Sequence, residues 1–248
     1  MNQTLVTLSF GSSVPEALVS IEAVEKVLRE TAAGYTAVRA FTSPTIRRIL
    51  EKRGEKVPSL SEALEQALAG GAERVIVQPT HLLYGYEYDK LKAEAAEYSD
   101  RFESLVVGKP LLADCGDIRR FAEEIARDHP RREGETVVYM GHGTEHFANA
   151  VYPALQTALD LEGRSDIRIG AVEGWPGLTE VLQTLRPSSG VLLLPLMLVA
   201  GDHARKDMAV DWKRALEQDG HTVRCEFTGL GELPWVQEMY RNRLLDIL

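Results

Sequence analysis

Two stretches of this sequence repeat one another in order, and such a repeat restricts the chain to folds built from two similar halves. Gly11-Ser12 and Gly143-Thr144 each follow a short apolar run, 132 residues apart. Val75, Pro79, Leu82 and Gly85 match Val191, Pro195, Leu198 and Gly201 at a spacing of 116. In this alignment Phe10 falls on His142 and Glu87 on His203.

Within each half, apolar runs that read as buried strands alternate with stretches of helical period. In the first half the runs Leu5–Phe10, Val38–Phe41, Arg74–Gln78 and Leu105–Lys109 predict strands. Pro15 to about Ala32, Pro44–Lys52 (with Ser43 as N-cap), Ser61–Ala69, Leu91–Glu103 and Asp117–Asp128 predict helices. In the second half the strands are Thr136–Met140, Ile167–Val172, Val191–Leu194 and Val223–Phe227. The helices are Ala148–Leu161, Gly177–Leu185, His203–Asp219 and an amphipathic one at Pro234–Leu248. Strand–helix alternation predicts the α/β class, with two doubly wound lobes of parallel sheet. The charged stretch DHPRREGE (128–135) predicts a linker, giving lobes 1–128 and 129–248, with the helix 234–248 expected to return onto the first lobe. Ligands of open α/β sheets bind beyond the carboxyl ends of the strands, which predicts a cleft between the lobes.

Composition narrows the function classes. With 248 residues, 44% of them hydrophobic, the chain has material for a real core. A net charge of −9, from 28 Lys+Arg against 37 Asp+Glu, argues against a nucleic-acid binder. The two cysteines, Cys115 and Cys225, have no metal-ligand spacing, read as small buried residues, and fit a reducing compartment. The start MNQTLVTLSFGSS has no basic stretch followed by a long apolar one, and the apolar run 190–201 is too short to span a bilayer. A cytoplasmic protein with no membrane contact is expected, and the acidic exterior with its last amphipathic helix permits a homo-oligomer.

The candidate chemistry sits where the repeat places it. His142, between two glycines directly after an apolar strand, reads either as a turn histidine bonded to a carbonyl or as a residue presented at the sheet end. His203, after a strand of the same lobe, favours the second reading. Two imidazoles and the carboxylate of Glu87 suit a borderline divalent cation and can also accept protons. Imidazoles protonate near pH 6.5, so metal affinity should fall below about pH 6. His146 is expected to cap or to stand behind the site. His81 reads equally as packed or as lining the cleft. His129 and His221 read as solvated. Tyr84, Tyr86 and Tyr88 bracket Glu87 and, with Phe10, could wall a flat aromatic ligand or be ordinary half-buried rings. Arg47, Arg48, Arg205 and Lys206 are candidates for substrate carboxylates or plain solvated faces. The nucleophile-elbow, dinucleotide and Walker patterns are all absent, which argues against a hydrolase on Ser12 or Ser13 and against a nucleotide enzyme.

The segments LVTLSFGSS (5–13), QPTHLLYGYEYDKL (78–91), MGHGTEHFANAVYPALQ (140–156) and LPLMLVAGDHARKDMAVDW (194–212) resemble the anaerobic sirohydrochlorin cobaltochelatases, the CbiK type of class II chelatase. The resemblance implies two similar α/β lobes with a ferrochelatase-like fold and a tetrapyrrole cleft. It also implies insertion of Co²⁺ into sirohydrochlorin in anaerobic cobalamin synthesis, without a nucleotide. It puts the metal-site histidines on His142 and His203 and the cleft glutamate on Glu87; on our own reading of the residues, Phe10, Ser12, Tyr84 and Tyr86 are expected to line the tetrapyrrole. Tyr86 stands where the family carries an acid, which bears on metal preference. Some relatives are exported and bind haem; the missing leader argues against that version here. An iron or nickel chelatase, or a non-catalytic metal or haem carrier, are the alternatives on the same fold.

Overall fold

In the computed structural model, which describes residues 2–201 and 204–248, the alternation resolves into two four-stranded sheets whose neighbouring strands are all parallel. The chain runs β1 (Gln3–Ser9), α1 (Pro15–Thr31), β2 (Thr36–Phe41), α2 (Pro44–Lys52), α3 (Leu60–Ala69), β3 (Arg74–Pro79), α4 (Tyr86–Ala96), β4 (Ser104–Val107) and α5 (Cys115–Asp128). It continues with β5 (Glu135–Gly141), a 3₁₀ turn (Phe147–Ala150), α6 (Val151–Leu161), β6 (Ile167–Ala171), α7 (Leu178–Thr184) and β7 (Gly190–Leu196). A π-helical stretch (Ala204–Trp212) leads into α8 (Lys213–Gln218), followed by β8 (Thr222–Cys225) and α9 (Pro234–Leu245). Among the described residues no helix is long and apolar enough to cross a membrane.

The sheet orders are β2-β1-β3-β4 and β6-β5-β7-β8, the same order twice. The ladders keep both spacings of the sequence repeat. Thr4 lies opposite Val75 and Leu8 opposite Pro79; in the second sheet Thr136 lies opposite Val191 and Met140 opposite Pro195. Local chemistry sets the helix starts. Ser43 caps α2 by accepting from the Ile46 N–H, with Pro44 behind it, and Ser59 and Glu62 form a reciprocal capping box on α3. The first core packs Val6, Leu8, Val75 and Val77 against Leu64 and Leu91; the second packs Val138, Met140 and Leu193 against Val181, Met208 and Trp212.

The chain divides into two units, Met1–Leu111 with Gly231–Leu248, and Leu112–Leu230. Helix α5 therefore belongs to the second unit, where the sequence boundary at 128 put it in the first. Its buried stripe, Ile118, Phe121, Ala122 and Ile125, is shared with α6, so the charged stretch after it is a loop inside one unit and not a linker. Helix α9 belongs to the first unit. It packs on α1, the Gly231 backbone lies against the Ser20 carbonyl where no side chain would fit, and the Tyr240 hydroxyl donates to the Thr80 carbonyl at 2.6 Å. A second correction concerns α4, which starts at Tyr86 and stops at Ala96, five residues before the expected start and seven before the expected end. Gly85 opens it, Glu87 and Asp89 favour its positive end, and Tyr88, Leu91 and Ala95 form its buried stripe. Residues 97–103 are turns and a short 3₁₀ segment.

Candidate functional site

In the second unit the carboxyl ends of β5 and β6 are tied together past the sheet. The Val172 N–H donates to the Gly141 carbonyl at 3.0 Å and the Glu173 N–H to the His142 carbonyl at 2.7 Å. Gly143 turns the chain with φ +84°, and a Cβ there would lie 2.6 Å from the Glu173 carbonyl carbon, so only glycine lets the two loops touch. The Gly143 N–H donates to the Tyr152 hydroxyl at 3.2 Å. The His142 Nδ1 lies 2.9 Å from the Gly143 carbonyl oxygen. A carbonyl only accepts, so Nδ1 carries the ring proton and Nε2 the lone pair a metal ion uses. A carboxylate oxygen of Glu173 lies 3.8 Å from the same Nδ1, and the two side chains are 45% and 62% exposed. Sequence reading missed Glu173. His146 caps the 3₁₀ turn, its Nδ1 accepting from the Ala148 N–H at 3.0 Å, which is the capping role expected for it.

The first unit repeats this backbone with different side chains. The Thr42 N–H donates to the Ser9 carbonyl and the Ser43 N–H to the Phe10 carbonyl, and Gly11 has φ +98°. Phe10 occupies the place of His142 and is 51% exposed; Ser43 occupies the place of Glu173 and caps α2. Ser12 is buried in the turn, its hydroxyl accepting from the Val14 N–H. The three tyrosines part company: Tyr86 is exposed, Tyr84 is half-buried edge-on against Tyr88, and Tyr88 is buried with its hydroxyl donating to the Gly108 carbonyl.

Glu87 stands in the first turn of α4, 2.8 Å from the Lys90 ammonium. Burial pushes its carboxyl up, but Lys90, with smaller help from Thr42 and His81, brings it below the ordinary value. Among the described residues the ring nitrogens of His81 are buried without a hydrogen-bond partner. Burial lowers the His81 ring to about 4, against a small opposing pull from Glu87, so it is neutral at pH 7.

The structure thus brings His142 to Glu173 in one unit, and Glu87 to Thr42 and His81 in the other. His203 lies outside the described residues. Among the described residues no three His, Cys, Asp or Glu side chains are grouped to hold a metal ion. Several sequence expectations fail. His221 is not solvated: it is 5% exposed, with Nδ1 3.1 Å from the Ser189 hydroxyl and Nε2 3.3 Å from Asp219. The His129 ring is bonded to the Tyr139 hydroxyl at 2.7 Å and shifted down, chiefly by burial. Cys115 is exposed at the start of α5 and Cys225 is half-buried, and both are free thiols. Of the basic candidates, Arg47 pairs with Glu62, while Arg48 and Lys206 are exposed.

In architecture the chain is a chelatase-type α/β protein. The sirohydrochlorin chelatase SirB from Bacillus subtilis subspecies spizizenii, solved in complex with cobalt, matches it with a TM-score of 0.69 over 99% of this chain and 95% of that one. At 17% identity the likeness is one of fold. The chain belongs to the cobalt chelatase (CbiK) family, whose model matches residues 3–248. It is 35% identical to the sirohydrochlorin cobaltochelatase of Salmonella typhimurium, over 100% of this chain and 97% of that one. It is 36% identical to the sirohydrochlorin cobaltochelatase CbiKC of Nitratidesulfovibrio vulgaris, over 89% and 81%.

Proposed function

We propose that this chain is a sirohydrochlorin cobaltochelatase: it inserts Co²⁺ into sirohydrochlorin in the anaerobic branch of cobalamin synthesis, without a nucleotide. The observation that carries the reading is the exposed His142–Glu173 pair at the strand ends of a chain matched along its length by the cobalt chelatase family. His142 presents the Nε2 lone pair to the incoming Co²⁺. Glu173 adds a carboxylate beside it, and His203 is the second imidazole of this reading. One imidazole or two hold the ion while leaving coordination positions for pyrrole nitrogens. Two pyrrole N–H protons leave as the ion passes from the imidazoles to the ring nitrogens; Glu87, held ionised by Lys90, accepts one, and an imidazole freed of the ion accepts the other. Phe10 and Tyr86 supply apolar contact for the ring, with Tyr84 and Ser12 behind them. The free thiols support a reducing cytoplasm as the place of work.

The test is anaerobic absorbance of sirohydrochlorin with Co²⁺, with and without protein, for the wild type, the His142→Ala/His203→Ala double variant and Glu87→Gln. Conversion by the wild type, loss in the double variant and a drop of about tenfold or more for Glu87→Gln support the reading. Tight tetrapyrrole or metal binding with no acceleration over the spontaneous reaction would make the chain a carrier instead.

A further inference from the structure

We propose that Trp175 is the second unit's contact for the flat macrocycle, and that Asn149 is the residue that positions it; this rests on the reading of the chain as a tetrapyrrole chelatase. Trp175 is 62% exposed, while Trp212 is buried in the core of the same unit. An indole left in water at a fixed place beside a candidate site is a binding surface for a conjugated ring.

The place is fixed by backbone bonds. Trp175 lies two residues after Glu173, so their Cα atoms are within about 7 Å. The loop that carries it is closed at its base, where the Ala171 N–H donates to the Pro176 carbonyl at 2.8 Å. It is tied to the His142 loop through the Glu173 N–H. Asn149 is the cross-brace. Its Oδ1 accepts from the Thr144 N–H at 3.2 Å, and its Nδ2 donates to the Trp175 carbonyl at 2.5 Å. Gly174 has no side chain because Asn149 fills the space a Cβ would take. Phe147, two residues before Asn149 and 89% exposed, sits on the same brace. One asparagine therefore holds the loops of two exposed aromatics against the loop of His142. Leu161, also exposed, stands by contrast at the last residue of α6, eleven positions beyond the 3₁₀ turn.

The chemistry expected is stacking or edge contact of the indole with the macrocycle, with no part in proton transfer. It acts on binding of the tetrapyrrole and not on binding of the metal alone. The experiment measures the Kd of metal-free sirohydrochlorin by anaerobic titration, and KM and kcat for Co²⁺ insertion, in the wild type, Trp175→Ala and Trp175→Phe. Co²⁺ binding without tetrapyrrole is measured in parallel. The expected result is a rise of about tenfold in Kd and KM for Trp175→Ala, a smaller change in kcat, and recovery to within about threefold for Trp175→Phe. Asn149→Ala should raise KM in the same direction by displacing the indole. A Trp175→Ala Kd within about twofold of wild type overturns the proposal and leaves the chelatase reading standing. An equal loss of Co²⁺ affinity also overturns it, since the residue would then be holding the metal loop. A wild type that neither binds nor metallates sirohydrochlorin removes the chelatase reading, and this inference with it.

Discussion

The two units are the same backbone carrying different chemistry. Past the ends of the first two strands, identical N–H to carbonyl bonds hold Phe10 and Ser43 in one unit and His142 and Glu173 in the other. Past the third strand the match continues: the His81 carbonyl accepts from the Leu111 N–H in one and the Met197 carbonyl from the Leu230 N–H in the other. One unit thus spends its strand ends on an aromatic face and a helix cap, the other on a histidine and a carboxylate. Four side chains at matched backbone positions divide the labour; the scaffold does not.

The comparison breaks most visibly at His142. His142→Ala should lower kcat/KM on the order of 100-fold or more in the anaerobic absorbance assay, while Phe10→Ala, at the matched position, should act mainly on KM. Next come the two turn glycines. Gly143→Ala and Gly11→Ala each force a side chain into the left-handed region, at a cost of about 1–2 kcal/mol before any collision. In Gly11→Ala the new methyl meets the Phe41 ring, and in Gly143→Ala it meets the backbone of Glu173 and Gly174. Urea melts should show both variants destabilised, while calorimetry should show weakened Co²⁺ binding only for Gly143→Ala. Equal metal affinity in the two would mean that Glu173 and His142 do not work as a pair. Smaller again is Ser43→Ala, which removes the cap of α2 and should cost about 1 kcal/mol of stability without touching Co²⁺ affinity.

The mildest effect is a pH slope. His81 holds its proton more weakly in the folded chain than in the unfolded one, mainly because it is buried. The unfolded chain therefore takes up the proton first as the pH falls. This contribution to stability is whole above about 6.5 and is lost as the pH drops towards about 4. His81→Met, which installs the residue the second unit uses at that place, should flatten the melt midpoint between pH 7 and 5. An unchanged slope would assign the loss to other groups.

Much of this was legible in the sequence. The spacings of 132 and 116 between apolar runs carry straight into the ladder, where Thr4–Val75 and Thr136–Val191 are matched pairs. They do so because strands buried on both faces need continuous apolar runs. Glu173 stayed hidden because its counterpart is Ser43, and a helix cap and a carboxylate share no chemistry for a repeat to reveal. The readable signal is positional: it is the first polar residue after the Ile167–Val172 run, as His142 is after Thr136–Gly141. The start of α4 was missed because LLYGYEYDKL looks like a tyrosine-rich loop, whereas Tyr88 and Leu91 share a face only once the helix exists. His221 and Cys115 were misplaced for a common reason: burial of a single polar or sulfur side chain depends on distant partners, such as Ser189 for His221, that local pattern does not encode.

The first unit is made of two pieces of chain, with the whole second unit between them. A ribosome therefore delivers β1 to β4 and their helices long before α9, the helix that covers α1 and whose Tyr240 pins the end of β3. During that interval the earlier half must wait with the α9-facing side of α1 uncovered, while residues 112–230 already have every strand and helix of their own unit. The core that β1 and β3 share with α3 and α4 needs nothing from α9, but the α1 side of the first unit is completed only after the second unit has been made. Domains made as one uninterrupted segment are complete when that segment is made; here an excursion of more than a hundred residues separates a helix from the surface it covers.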